Sequence, residues 1–194
     1  MVARVLFVRP VPSKKRIQLG ILDGTEEATY TVRESTYAQI GAPAVGCEIG
    51  SSTLGTVRFE DECLRAIKRA MGYLSLSDKS RFELKMKLVH SGISYEAADV
   101  ALERISELGY LDEDRQLERA VEREANYKLR GRYYIKRKLS SKGYSSAAIS
   151  RAIERLTDSG EVDFNANFEL LAEKKGAISE EERHALEYKF GYRI

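Results

Sequence analysis

One stretch of this chain occurs twice. Arg132 to Asp163 reads onto Arg81 to Asp112 at a shift of 51 residues, with no gap. The identities at that shift are Arg81/Arg132, Lys85/Lys136, Lys87/Lys138, Leu88/Leu139, Gly92/Gly143, Ser94/Ser145, Ala97/Ala148, Ala101/Ala152, Glu103/Glu154, Arg104/Arg155, Gly109/Gly160 and Asp112/Asp163. Self-similarity at a fixed period signals an array whose neighbouring units share a core. Such units are amphipathic helices that cannot hide their apolar faces alone.

Helix signals fix what the unit is. From Glu62 the apolar residues Leu64, Ile67, Met71 and Leu74 recur at helical spacing, to a helix end near Leu76. Ser80 to Glu83 is a capping box for the next helix, whose inner face is Leu84 and Leu88 and whose stop is Gly92. Ser94 caps a third helix, with Ala97, Ala98, Ala101, Leu102, Ile105 and Leu108 inward and Gly109 as its stop. The second unit is expected as a long helix from Glu113 to Leu129 capped by Asp112, then Arg132 to Lys142, then Ser145 to Ser159. Asp163 opens a third unit. Its helices are Phe164 to Lys175 and, after the capping box Ser179 to Glu182, Arg183 to Phe190, with no third helix following. Leu88, Leu102 and Ile105, and their partners Leu139, Ile153 and Leu156, are expected to make one core per unit.

Residues 1 to 60 have another texture. Val5 to Val8, Arg16 to Leu22 and Ala28 to Val32 read as short strands, bounded by Pro10, Pro12 and the hairpin signal Asp23-Gly24. Ser35 is expected to cap a short helix, Thr36 to Ile40. Gly41 to Gly55 reads as turns, with a possible strand at Thr56 to Phe59. Seven bases, Lys14 among them, against six acids leave this segment without a strong field. The expected fold is therefore mainly α: tandem three-helix repeats in an elongated array, with a small β-rich N-terminal domain. The boundaries are 1–60 for that domain, 61–111 and 112–162 for the repeats, and 163–194 for a truncated third.

Net charge is only +2 over 194 residues, so any anion-binding surface comes from local clustering. Lys128 to Tyr144 supplies it, with seven basic residues and no acid. The candidate strip is Arg130, Arg132, Lys136, Arg137, Lys138 and Lys142, with a partial copy at Arg81, Lys85 and Lys87 and an extension at Lys68 and Arg69. Tyr133 and Tyr134 interleave it, a pattern suited to a phosphate backbone or an acidic protein face. A solvated helix face is the competing account. Arg81 and Arg132, near the apolar edges of their helices, are expected in internal ion pairs or caps, and Tyr110 and Tyr144 between helices. Arg115, Arg119 and Arg123 with Glu118 and Glu122 suggest local pairs one turn apart.

Catalytic signals are weak. His90 and His184 belong to no ligand set or nucleophile elbow. Gly46, Gly50 and Gly55 lack the lysine and helix start of a phosphate loop. Cys47 and Cys63 have no ligand-like spacing, and reduced thiols in a cytoplasmic protein are the simple account, with a disulfide left open. No cofactor, no metal, no secretory signal and no membrane span are expected.

Three segments, YLSLSDKSRFELKMKLVHSGI, ERISELGYLDEDRQ and GRYYIKRKLSSKGYSSAAISRAIERL, resemble the RecX family. The matching positions are Tyr73-Leu74-Ser75, Ser80-Arg81, Glu83-Leu84, Lys87-Leu88 and Gly92, then Gly109-Tyr110-Leu111-Asp112, then Gly131, Ile135, Leu139 and Lys142-Gly143. Asp78-Lys79 stands where an arginine-rich lead-in is common. The resemblance implies a non-enzymatic regulator of the RecA recombinase in DNA repair, recombination and the SOS response. Such a protein binds the RecA–DNA filament and suppresses its ATPase, strand-exchange and co-protease activities. The implied partners are the RecA filament and single- or double-stranded DNA, directly or within the filament, with the protein a monomer. An autonomous DNA-binding helical module is the alternative.

Overall fold

The computed structural model describes residues 2–11 and 15–193. The chain divides into two compact units. One comprises Met1–Tyr73 with Lys87–Leu108, the other Leu74–Met86 with Gly109–Ile194.

In the first unit, three strands form an antiparallel meander: β1 (Val2–Val11), β2 (Arg16–Asp23) and β3 (Glu26–Arg33). Alternation of Ile17, Leu19 and Ile21 puts these side chains in the core, and Gly24 takes φ 62° in the two-residue turn between β2 and β3. β1 is longer than the expected Val5 to Val8 and runs through Pro10, because its outer half is paired on the β2 side. Pro12 and Lys14 lie outside the described residues. A bulge between Val5 and Phe7 turns the Phe7 ring across Gly20, where a Cβ would overlap it. Helix α1 (Glu34–Gln39) follows β3 directly, so Arg33 and not Ser35 holds the N-cap position, and no side chain caps it. β4 (Glu48–Gly50) completes the sheet in the order β3-β2-β1-β4, a strand the turn-rich sequence had hidden.

Helix α2 (Ser51–Leu76) corrects the sequence expectation. It starts eleven residues before Glu62 and includes Thr56 to Phe59, expected as a strand. Leu54 and Val57 lie one turn apart and both are buried against the sheet residues Val5, Leu19 and Ile49. That burial overrides the β-favouring and glycine residues between them. The next position on that face is Glu60, buried and held by Nε and Nη2 of Arg33, at 2.5 and 2.9 Å. Cys47 and Cys63 are both free, and burial pushes the Cys63 thiol up to about 11.

The remaining helices are α3 (Arg81–His90), α4 (Tyr95–Glu107), α5 (Glu113–Glu122), α6 (Arg132–Ser141), α7 (Ser146–Asp158), α8 (Phe164–Lys175) and α9 (Glu180–Phe190). Their ends obey the local chemistry. Ser94, Asp112, Ser145, Asp163 and Ser179 each accept first-turn amides. Gly92, Gly109, Gly143, Gly160, Gly176 and Gly191 follow helix ends at φ between 66 and 86°.

A core of the second unit gathers Leu117, Val121, Ile135, Leu139, Ile149, Ile153, Leu156, Val162 and Phe164, with Tyr144 packed on it. Tyr110, expected between helices, is instead 57% exposed, because the next residue, Leu111, takes the buried slot. The expected long helix to Leu129 is helical as far as Tyr127, but not α throughout. α5 ends at Glu122 and a π-helical turn, Arg123–Tyr127, follows. Leu129 then adopts φ 51° and is buried. The extra residue of the π turn rotates Glu124 inward.

Candidate interaction surface

Helix α6 carries the densest cations, and its two ends are built by other helices of the same unit. At its start, the amides of Gly131 and Tyr133 donate to the carbonyls of Phe190 and Gly191 at the end of α9, both at 2.9 Å. A Cβ on Gly131 would overlap the backbone of Gly191. At its far end, the Ser80 hydroxyl donates to the Lys142 carbonyl, and a Cβ on Gly143 would overlap the Phe82 side chain.

The partners of the cations divide the strip. Glu124, 1% exposed, takes Lys128 and Lys138 on one oxygen, each at 2.9 Å. Burial alone would raise its carboxyl, but the hydrogen bonds and charges of the two lysines outweigh that and hold it below its ordinary range. Lys142 pairs with Glu83 at 3.2 Å. Arg130 lies between the rings of Tyr134 and Phe190, 4.4 and 4.6 Å from their centroids. Arg132, expected in an internal ion pair or a cap, makes no ion pair among the described residues. It is exposed and lies over the Phe164 ring at 4.9 Å. Lys136 and Arg137 are the remainder: exposed, beside the 44% exposed Tyr133, and without an ion pair among the described residues. Three of the seven cations of the acid-free run are thus paired with acids from outside it.

The other candidates are placed separately. Arg81 and Lys85, half-buried, stand on α3, with the Arg81 amide donating to Glu113 at 3.0 Å. In the first unit, Lys87 lies over the Tyr73 ring at 5.6 Å. Arg69 is committed to the Ser91 carbonyl at 2.6 Å, and Lys68 is exposed. Among the described residues, Glu118 and Arg119 of the acidic helix α5 find their ion-pair partners off the helix and not one turn away. Glu118 pairs with Arg155 at 2.5 Å, and Arg119 with Asp78 at 3.8 Å.

Sequence reasoning missed Glu124, whose role depends on the π turn, and the aromatic seat for Arg130, whose Phe190 lies sixty residues away. Among the described residues no group of His, Cys, Asp or Glu is arranged to hold a metal ion, and no helix is long and apolar enough to cross a membrane.

The fold is that of solved RecX proteins. A crystal structure of regulatory protein RecX matches with a TM-score of 0.70 at 18% identity, over 97% of this chain and 92% of that one. RecX from Lactobacillus salivarius matches at 0.55 and 22% identity, over 67% and 86%. No family model matches the chain. In sequence, a regulatory protein RecX of Stenotrophomonas maltophilia (strain K279a) is 35% identical over 109 residues, 56% of this chain and 64% of the relative. One of Prosthecochloris aestuarii (strain DSM 271 / SK 413) is 29% identical over 117 residues, 60% of this chain and 77% of the relative. The match to the Stenotrophomonas relative thus spans slightly less than two thirds of its length. In sequence and in fold the chain is similar to these regulatory proteins RecX.

Proposed function

We propose that this chain is a non-enzymatic regulator that binds the RecA–DNA filament and inhibits RecA's ATPase, recombinase and co-protease activities. The relatives' name, regulatory protein RecX, supports a regulatory role. The observation that carries the contact is the uncompensated pair Lys136 and Arg137, exposed beside Tyr133 on a helix anchored at both ends. Two fixed cations attract a phosphate backbone or a carboxylate-rich protein face, while the neighbouring lysines are held by Glu124 and Glu83. The 51-residue units at 61–111 and 112–162, with a partial third, give such a regulator its body.

RecA-dependent ATP turnover on single-stranded DNA tests this. The wild-type chain lowers turnover, and Lys136→Glu/Arg137→Glu, shown by circular dichroism to remain folded, lowers it less. No effect of the wild-type chain rejects the function. Equal inhibition by the variant rejects the assigned face. The exposed rings of Tyr127 and Tyr133 favour a second reading, an autonomous DNA-binding module, because bases stack on such rings. High-affinity, salt-dependent binding to bare duplex DNA without RecA selects it.

A further inference from the structure

The first unit contains a groove that the cation strip does not include. Its larger lobe, about 480 Å³, has Lys15, Arg16 and Glu34 at its rim and Leu64, Ile67 and Leu108 on its floor. The floor continues through Leu64 and Ile67 into a second lobe of about 280 Å³, flanked by Val100, Glu103 and Glu107. Arg33 and Arg104 line both lobes, but Arg33 is committed to buried Glu60 and Arg104 to Glu107. Lys15 and Arg16 have no ion pair among the described residues. On the floor, Leu108 is 53% and Val100 43% exposed.

We propose that this groove docks an acidic, aliphatic segment of a partner protein, its carboxylates at Lys15 and Arg16 and one or two aliphatic side chains on Leu64, Ile67, Leu108 and Val100. Three observations select this occupant. The lining contains no aromatic ring, so it offers no platform on which nucleobases stack. Its apolar residues are aliphatic, the surface that receives leucine-like anchors. Its uncommitted charge is cationic and lies at one end, at Lys15 and Arg16 on the rim of the larger lobe, while Arg104 and Glu107 pair with each other in the second. A peptide with its acids at one end and aliphatic residues at the other matches that arrangement. The groove does not depend on the role given to α6.

A randomised twelve-residue peptide library, displayed on phage and selected on the full chain, tests the proposal. Selected peptides are then synthesised and titrated by fluorescence anisotropy. The expected peptides pair an acidic end with aliphatic residues. Leu108→Asp and, as a second floor variant, Val100→Asp each weaken them at least about tenfold, because a carboxylate replaces an apolar contact. Lys15→Glu weakens them about threefold or more. Lys136→Glu/Arg137→Glu leaves their affinity unchanged. Failure to select any peptide, or peptides indifferent to both floor variants, overturns the proposal. So does a fluorescein-labelled oligothymidine whose binding is lost in Leu108→Asp, which makes the groove a nucleic-acid site instead.

Discussion

Helices α6 and α9 share one frame and put it to different uses. In each the stop glycine lies twelve positions after the cap, Gly131 to Gly143 and Ser179 to Gly191. In α6 the fourth and eighth residues after the cap are Ile135 and Leu139, both fully buried. In α9 the same places hold Arg183 and Glu187, with side chains 34% and 30% exposed and paired to Glu169 and Arg193. The frame is local chemistry and makes a helix in both cases. Whether that helix builds a core depends on two residues. α6 is buried on one face and displays Lys136 and Arg137 on the other. α9 contributes no residue to that core, and its last carbonyls cap the first turn of α6 instead.

The comparison breaks most readily at the inner positions. Leu139→Ala is expected to cost about 3 kcal/mol, the loss of a fully buried leucine plus the cavity it leaves. Glu187→Ala, at the equivalent place in α9, is expected to cost less than about 1 kcal/mol, as for a partly exposed ion pair. Urea unfolding of the full chain measures both. Equal costs would mean that α9 carries as much of the core as α6.

The seam between the two helices gives the next effect. Gly131 has φ −77°, so alanine is conformationally welcome there. Its Cβ would nevertheless overlap the Gly191 backbone, which cannot turn aside as a side chain can. Gly131→Ala is expected to cost about 2 kcal/mol. It should also speed hydrogen exchange at the Tyr133 amide, which donates to Gly191. A variant as stable as wild type would show that the two helix ends are not seated on one another.

Much of this was legible in the sequence, because the signals are local. Ser94, Ser145 and Ser179 cap helices, and Gly92, Gly143 and Gly191 stop them, through bonds within a few residues. The strand alternation at Ile17, Leu19 and Ile21 is equally local. What stayed hidden depends on partners far along the chain. The start of α2 is decided by burial of Leu54 and Val57 against the sheet, not by the propensities of Gly55 and Thr56. The density of cations from Lys128 to Tyr144 was plain, but their charge state was not. Glu83 lies nearly sixty residues from Lys142, and Glu124 sits outside the run and turns inward only through the π turn.

The smallest expected effect lies at that turn and sharpens the contrast between held and free cations. Glu124 gains two lysine partners on folding, so its carboxyl lies lower in the folded chain than in the unfolded one. The unfolded state therefore binds a proton first as pH falls. The stability from this group is complete above the unfolded carboxylate range and disappears as pH drops through the lower folded value. Glu124→Gln keeps the shape and removes the charge. At about pH 7 it is expected to cost about 1 kcal/mol, modest because Lys128 and Lys138 are half-exposed and can turn to water. At about pH 3 the gap between variant and wild type should narrow, measured as the difference in urea midpoint at the two values. A gap that widened toward acid would show that Glu124 is protonated in the folded chain. Lys138 would then be as free as Lys136, and the division of α6 into held and available cations would fall.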